Sequence, residues 1–163
     1  MTHKFKRALP YILLTLVILV GQMFFSFGLV TGAMPALPEI TLTGERTDEA
    51  LARRPAIVYF WAEWCGICAS MRESVSALLE ETGGVTVALQ SGDDRQVLRY
   101  LSDYKLAWST LNDQDGVLAA LYQVKGVPAV FIIDTNGQIR FAGSGYHSEL
   151  GLRLRLALAG LGF

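Results

Sequence analysis

The chain has two cysteines, Cys65 and Cys68, three positions apart in the stretch "YFWAEWCGICASM" from Tyr59 to Met71. Thiols at this spacing can work as a dithiol/disulfide couple, supply half of a metal site, or close a short structural loop. Zinc needs about four ligands, and beyond the cysteines the 163 residues offer only His3 and His147. A disulfide closing so small a loop removes little entropy from the unfolded chain and makes a poor staple. The redox couple has a mechanism. If a strand ends at Ala62 and a helix starts near Cys65, the first thiol lies at a helix N-terminus, where unpaired amides and the dipole favour its thiolate. Cys65 then attacks, and Cys68, one turn later on the same face, is placed to resolve the mixed disulfide.

The elements that must position this pair are readable on both sides of it. Ala56 to Ala62, "AIVYFWA", is a β-branched and aromatic run long enough for a buried central strand. From Cys65 to Thr82 the residues Met71, Val75, Leu78 and Leu79 recur at helical spacing, and Gly83-Gly84 ends the pattern. "VTVALQ" predicts another strand, and "EITLTG", near residue 40, a first one. Asp94 to Tyr104 predicts a helix with Val97, Leu98 and Leu101 inward, and Asp115 to Tyr122 a further helical turn or two. "AVFIIDTNGQIRFAG" predicts a hairpin, because Asn136-Gly137 between two apolar runs is a strong turn signal. The tail "ELGLRLRLALAG" alternates like a strand, yet its length and the i, i+4 pair Glu149 and Arg153 favour a helix.

Composition places this domain behind an apolar leader. The chain is 52% hydrophobic and 18% charged, with a mean hydropathy of +0.35, too apolar for an ordinary soluble domain of this length. From Ala8 to Pro38 no residue is charged. The organisation expected is a basic N-terminus 1–8, a transmembrane anchor 9–34, a linker 35–38 and one compact domain 39–163. A cleaved signal peptide is the rival reading of the apolar stretch, although Thr31-Gly32-Ala33 is a weak exit for one. Lys4, Lys6 and Arg7 before the span, against Glu39 and Glu45 after it, put the N-terminus in the cytoplasm and the domain outside. Without those three, 11 of the 14 Lys and Arg face 15 Asp and Glu, a net charge near −4. That balance argues against nucleic acid as a partner.

The motifs now carry a resemblance. "VYFWAEWCGIC" is similar to the active-site strand and turn of the thioredoxin superfamily, and "VKGVPAVFIIDTNGQI" to its cis-proline segment and hairpin. With the N-terminal span, residues 39–163 resemble the membrane-anchored TlpA/ResA-like branch. "SGDD", "NDQDG" and "GYHSELGLRLRL" are most similar to the suppressor for copper sensitivity protein D group. The resemblance implies a three-layer α/β/α sandwich with a mixed central sheet, preceded by one transmembrane helix. It also implies disulfide exchange with other proteins and no cofactor beyond the cysteines. Position by position it makes Cys65 the nucleophile and Cys68 the resolving thiol. Trp64, Gly66, Ile67, Val127 and Pro128 become the substrate groove, with Pro128 as the cis-proline.

Two positions depart from that pattern. Tyr59 stands where many thioredoxins carry a buried aspartate, so the usual proton acceptor is missing; Asp93, in a Gly-acid pair after the next strand, is the candidate replacement. Ile67 stands where thioredoxins often have proline, which leaves the reduction potential open. Glu63 is expected to face water, His147 to be a loop residue without chemistry, and Trp61 and Phe60 to pack the strand, while Trp108 could do either. The function expected is a periplasmic, inner-membrane-tethered thiol:disulfide oxidoreductase acting mainly as a reductant, supplied by a transmembrane electron donor. The alternatives are a disulfide-forming oxidase and a non-catalytic copper-handling or assembly module, since soft thiolates suit copper(I).

Overall fold

The structure, a computed structural model, describes residues 28–162. The elements in chain order are β1 (Gly32–Ala33), α1 (Thr47–Ala50), β2 (Ala56–Trp61), α2 (Gly66–Ser70), α3 (Arg72–Thr82), β3 (Gly84–Leu89), α4 (Asp94–Asp103), β4 (Thr110–Asp113), α5 (Val117–Leu121), β5 (Ala129–Ile133), β6 (Gln138–Ser144) and α6 (Glu149–Gly160). The strands form one six-stranded sheet in the order β1-β6-β5-β2-β3-β4. It is mixed: β2, β3 and β4 run parallel, while β5 and β6 join antiparallel.

Every residue of β2 is buried, as a strand covered on both faces requires. Alternation then divides its side chains between two cores. Ile57, Tyr59 and Trp61 meet Cys65, Cys68 of α2, Val75 and Leu78 of α3, Val97 of α4 and Leu152 and Leu156 of α6. Ala56, Val58 and Phe60 meet Leu51, Leu118, Tyr122 and Phe131 on the other side. The result is the three-layer α/β/α sandwich. Phe60, Tyr122 and Phe131 pack as an aromatic triad, with ring centroids 5.1–5.7 Å apart.

Local chemistry explains most boundaries. Asp93 caps α4 in a full capping box with Gln96, and Ser148 caps α6 by accepting from the Gly151 amide. The carboxylate of Asp113, at the end of β4, accepts from the amides of Leu118 and Ala119 and so closes the start of α5. In the β5–β6 turn, Asp134 accepts from Asn136 and Gln138, and Gly137 has φ +80°, as its turn demands.

Several expectations need correction. Most of the anchor 9–34 lies outside the described residues, but its last part does not continue as a span. Leu29, Val30 and Met34 pack against the second core, and Gly32–Ala33 pairs with the start of β6. The stretch 35–38 is not a free linker: Tyr122 donates its hydroxyl to the Pro35 carbonyl and Thr47 donates to that of Pro38. "EITLTG" is no strand, because Thr41 and Glu45 bond each other and fold it into a turn that meets Arg46 through one bridge at Ile40. The single helix expected from Cys65 to Thr82 is two, breaking at Met71, whose amide bonds back three residues to Cys68. Leu98 is on the outer side of α4 and is 39% exposed. The short edge strand β4 is additional. Trp108 belongs to the core, where its indole donates to Ser76 at 2.9 Å.

Candidate active site

The end of β2 delivers the cysteines. Chain direction changes at Ala62, where the carbonyl accepts from the Cys65 amide, and Cys65 is the N-cap of α2 in extended conformation. The cysteines are joined as a disulfide with Cα atoms 5.2 Å apart. The Cys68 amide donates to Cys65 Sγ at 3.1 Å. This is the N-cap interaction with sulfur in place of oxygen, and the same amide that satisfies the helix end stabilises negative charge on that sulfur once the bond is reduced. Cys65 is 7% exposed and Cys68 2%, so the first is the less buried of the two.

A second wall comes from the turn before β5. The Val127–Pro128 bond is cis, and the Val127 carbonyl oxygen lies 3.7 Å from Cys65 Sγ. Pro128 is buried, and its carbonyl accepts from Gly145 beyond β6 at 2.8 Å. Around the sulfurs the surface is apolar and open: Trp64 is 64% exposed and Ile67 51%, with Gly66 exposed between them. The structure therefore brings Cys65, Cys68 and Val127 into contact, with Trp64, Gly66 and Ile67 as the exposed rim.

Asp93 caps a helix. It is exposed, and its carboxylate accepts from the Gln96 amide at 2.9 Å as the cap of α4; none of its hydrogen bonds reaches the cysteines. Tyr59 is fully buried in the core that includes Cys68, and its hydroxyl has no partner. Burial pushes its pKa up, so it remains a neutral phenol and takes no proton from a thiol. Glu63 is exposed and His147 is half-buried, its Nδ1 3.1 Å from Arg155.

Three residues that hold the site, Gln90, Ser91 and Arg72, are absent from the expected set. The Trp64 indole donates to the Gln90 carbonyl at 3.1 Å, and the Glu63 amide donates to the Ser91 hydroxyl at 3.0 Å. These bonds, each contributing about 1 kcal/mol, fasten the cysteine turn to the end of β3. The signal for them was topological: β3 is parallel to β2, so the residues after Leu89 emerge at the same end of the sheet as those after Trp61. Arg72 also braces the turn, donating to the Ala69 carbonyl while its guanidinium lies 3.7 Å from the centre of the Tyr104 ring.

Comparison with known proteins agrees with this geometry. Residues 30–142 match the AhpC/TSA family. A thioredoxin-like protein of Haemophilus influenzae is 33% identical over 107 residues, covering 65% of this chain and 64% of the relative. The thiol:disulfide interchange protein DsbE of Pseudomonas fluorescens is 32% identical over 127 residues, 76% of this chain and 71% of the relative. The chain thus spans slightly less than two thirds of the Haemophilus relative and somewhat more of the Pseudomonas one. Among solved structures, MTB dsbF in its mixed oxidised and reduced forms superposes with a TM-score of 0.63 at 26% identity, covering 76% of this chain and 94% of that one. With its cysteine turn, its sheet order and this match over most of its length, the chain belongs to the AhpC/TSA family of thioredoxin-like proteins.

Proposed function

We propose that the protein is a membrane-tethered thiol:disulfide oxidoreductase that exchanges disulfides with partner proteins. The observation that carries the chemistry is the position of Cys65 Sγ, 3.1 Å from the Cys68 amide and 3.7 Å from the Val127 carbonyl. In the dithiol state the Cys65 thiolate attacks one sulfur of a partner disulfide. A mixed disulfide forms and the partner's other sulfur leaves as a thiolate. The Cys68 thiolate then attacks Cys65 Sγ, which releases the partner's second sulfur and leaves the Cys65–Cys68 disulfide. Two electrons pass to the partner. The backbone at Val127 is the edge along which an extended partner segment pairs.

The name of the Pseudomonas relative, thiol:disulfide interchange protein, supports this reading. Reduction is the favoured direction. Between Thr82 and Val124 the described chain holds only β3, α4, β4 and α5, without an inserted helical platform for unfolded chains, which suits exchange with a few docked partners and with a membrane-embedded electron donor.

Tethering rests on sequence. With Gly28–Met34 assigned to the domain, the apolar run from Leu9 to Phe27 keeps nineteen residues, about 28 Å as a helix and long enough to cross a bilayer. Among the described residues no helix is long and apolar enough to do so. The test has two arms. The reduced protein should reduce the insulin interchain disulfides, with the activity lost in Cys65→Ser; an inactive wild-type protein overturns the enzymatic reading. A reporter active only in the periplasm, fused after Phe163, should be active and remain with membranes after a salt wash; a soluble mature form overturns the anchor.

A further inference from the structure

Strand polarity fixes the end of the sheet at which the leader joins the domain. Strand β2 runs toward the cysteine turn, and β5, antiparallel to it, starts at that same end directly after Pro128. The β5–β6 turn at Asn136-Gly137 is therefore the far end of the sheet. Strand β6 returns toward the disulfide, where the Gly145 amide donates to the Pro128 carbonyl. Strand β1 is antiparallel to β6 and pairs with its first residues, Gly32 with Ile139 and Ala33 with Gln138. The chain thus travels along β1 from the disulfide end toward the far end, and the residues before it, from Gly28 to Thr31, lie on the disulfide side.

Two contacts agree with that path. The Val30 amide donates to the Tyr122 carbonyl just past α5, and Gly28 sits beside Lys125, where a Cβ on the glycine would lie 3.7 Å from Lys125 Nζ. Lys125 is two residues before Val127, at most about 7 Å of chain, and the Val127 carbonyl lies 3.7 Å from Cys65 Sγ. The apolar run from Leu9 ends at Phe27. No more than about 11 Å of chain separates Phe27 from the hydrogen bond at Val30, so a bilayer holding the leader lies close to this end of the domain.

A bilayer cannot pass through the domain. A chain that leaves it at Phe27 and then runs toward the β5–β6 turn carries the body of the domain away from the membrane and keeps the disulfide end near it. The surface at that end suits the neighbourhood. Trp64 and Ile67 at the rim are exposed apolar residues, and so is Val117 at the start of α5, which follows the end of β4 on this side of the sheet. Lys125 is exposed at the junction, a long amphipathic cation of the kind that settles at headgroup level.

We propose that the domain is carried with the disulfide end of its sheet toward the bilayer, so that the couple chiefly serves partner proteins whose reactive cysteines stand close to the membrane surface. This rests on the tethered reading and adds an orientation and a class of partner to it.

The test uses the full chain in phosphatidylcholine nanodiscs with a gadolinium chelate on some of the headgroups, read through the amide NMR signals. Gadolinium broadening falls steeply with distance, and β5, five residues long, sets the two ends of the sheet about 17 Å apart. The amides of Trp64, Ile67 and Gly126 should lose most of their signal, while those of Asn136 and Gly137 keep most of theirs. Equal loss at the two ends, or greater loss at Asn136 and Gly137, overturns the orientation while the chain still co-purifies with the discs; a chain that does not co-purify overturns the anchor as well. In a second arm, a flexible Gly/Ser segment inserted between Phe27 and Gly28 releases the orientation and leaves the leader in place. This variant should reduce a peptide disulfide held at the headgroups by a lipid several-fold more slowly than the unaltered chain does, and the same peptide in solution no more slowly. Equal rates on the lipid-held disulfide overturn the partner assignment.

Discussion

The backbone amide of Cys68 donates to the sulfur of Cys65 at 3.1 Å, so one residue of the couple stabilises the other through its main chain and not only through its thiol. The amide does not depend on the Cys68 side chain. Cys65→Ser removes the sulfur that attacks and should reduce exchange to the uncatalysed rate. Cys68→Ser keeps the amide, so Cys65 should still attack and then stall as a mixed disulfide, visible as a covalent adduct on a non-reducing gel. Equal trapping by the two variants would reverse the assignment.

The strand, the cysteine turn and the hairpin were legible because their signals are local. A seven-residue apolar run can only be a buried strand or helix, and its β-branched and aromatic composition decides for the strand. Asn136-Gly137 specifies its own turn, and Glu149 with Arg153 do form the ion pair that favoured a helix for the tail. What was illegible depends on partners far along the chain. "EITLTG" has strand composition, but Thr41 bonds Glu45 across a turn, and the contact with β4 is a single bond from the Leu42 amide to the Thr110 carbonyl. Trp108 gives no hint of Ser76, and the bonds from Trp64 to Gln90 and from Glu63 to Ser91 exist only because β2 and β3 lie side by side.

Gly84 opens β3 with φ +152°, beside the most crowded point of the sheet. A Cβ there would come within 2.4 Å of the Ile57 carbonyl oxygen and 2.7 Å of Leu79 Cδ2. Neither the strand nor the buried leucine can yield without parting β2 from β3. Gly84→Ala should destabilise the fold by about 2–4 kcal/mol, the range of overpacking plus a strained backbone, measured by urea unfolding. A loss below about 0.5 kcal/mol, the level of a neutral surface change, contradicts the crowding.

His147 should give the fold a pH dependence. Burial, the largest cause, holds its pKa below the ordinary value; a hydrogen bond to Gly143 opposes it, and the positive charge of Arg155 adds a smaller push in the same direction as burial. Below the unfolded pKa of about 6.5, the unfolded chain takes a proton that the folded chain refuses. Stability is therefore complete above that pH and declines as the pH falls, until the folded imidazole also titrates. His147→Gln should remove this part of the slope between pH 7 and pH 5 in denaturant titrations; an unchanged slope shows that the histidine does not contribute.

The redox state in the cell follows from access to the couple. Cys65 is the less buried of the two thiols, 7% exposed, and lies beneath the rim formed by the exposed Trp64 and Ile67, where a docked partner reaches it. A couple that partners can reach in an oxidising compartment is driven to the disulfide unless a donor continually reduces it. On the proposed tethered reading, a membrane-embedded donor is within reach of the couple and supplies the reducing equivalents. Cys65 and Cys68 should therefore be mainly dithiol in growing cells. Acid quenching, alkylation with a mass-adding maleimide and gel electrophoresis would count the free thiols directly. Two alkylated cysteines in most molecules match a reductant, whereas a couple found largely as disulfide while the membrane donor is intact identifies an oxidase.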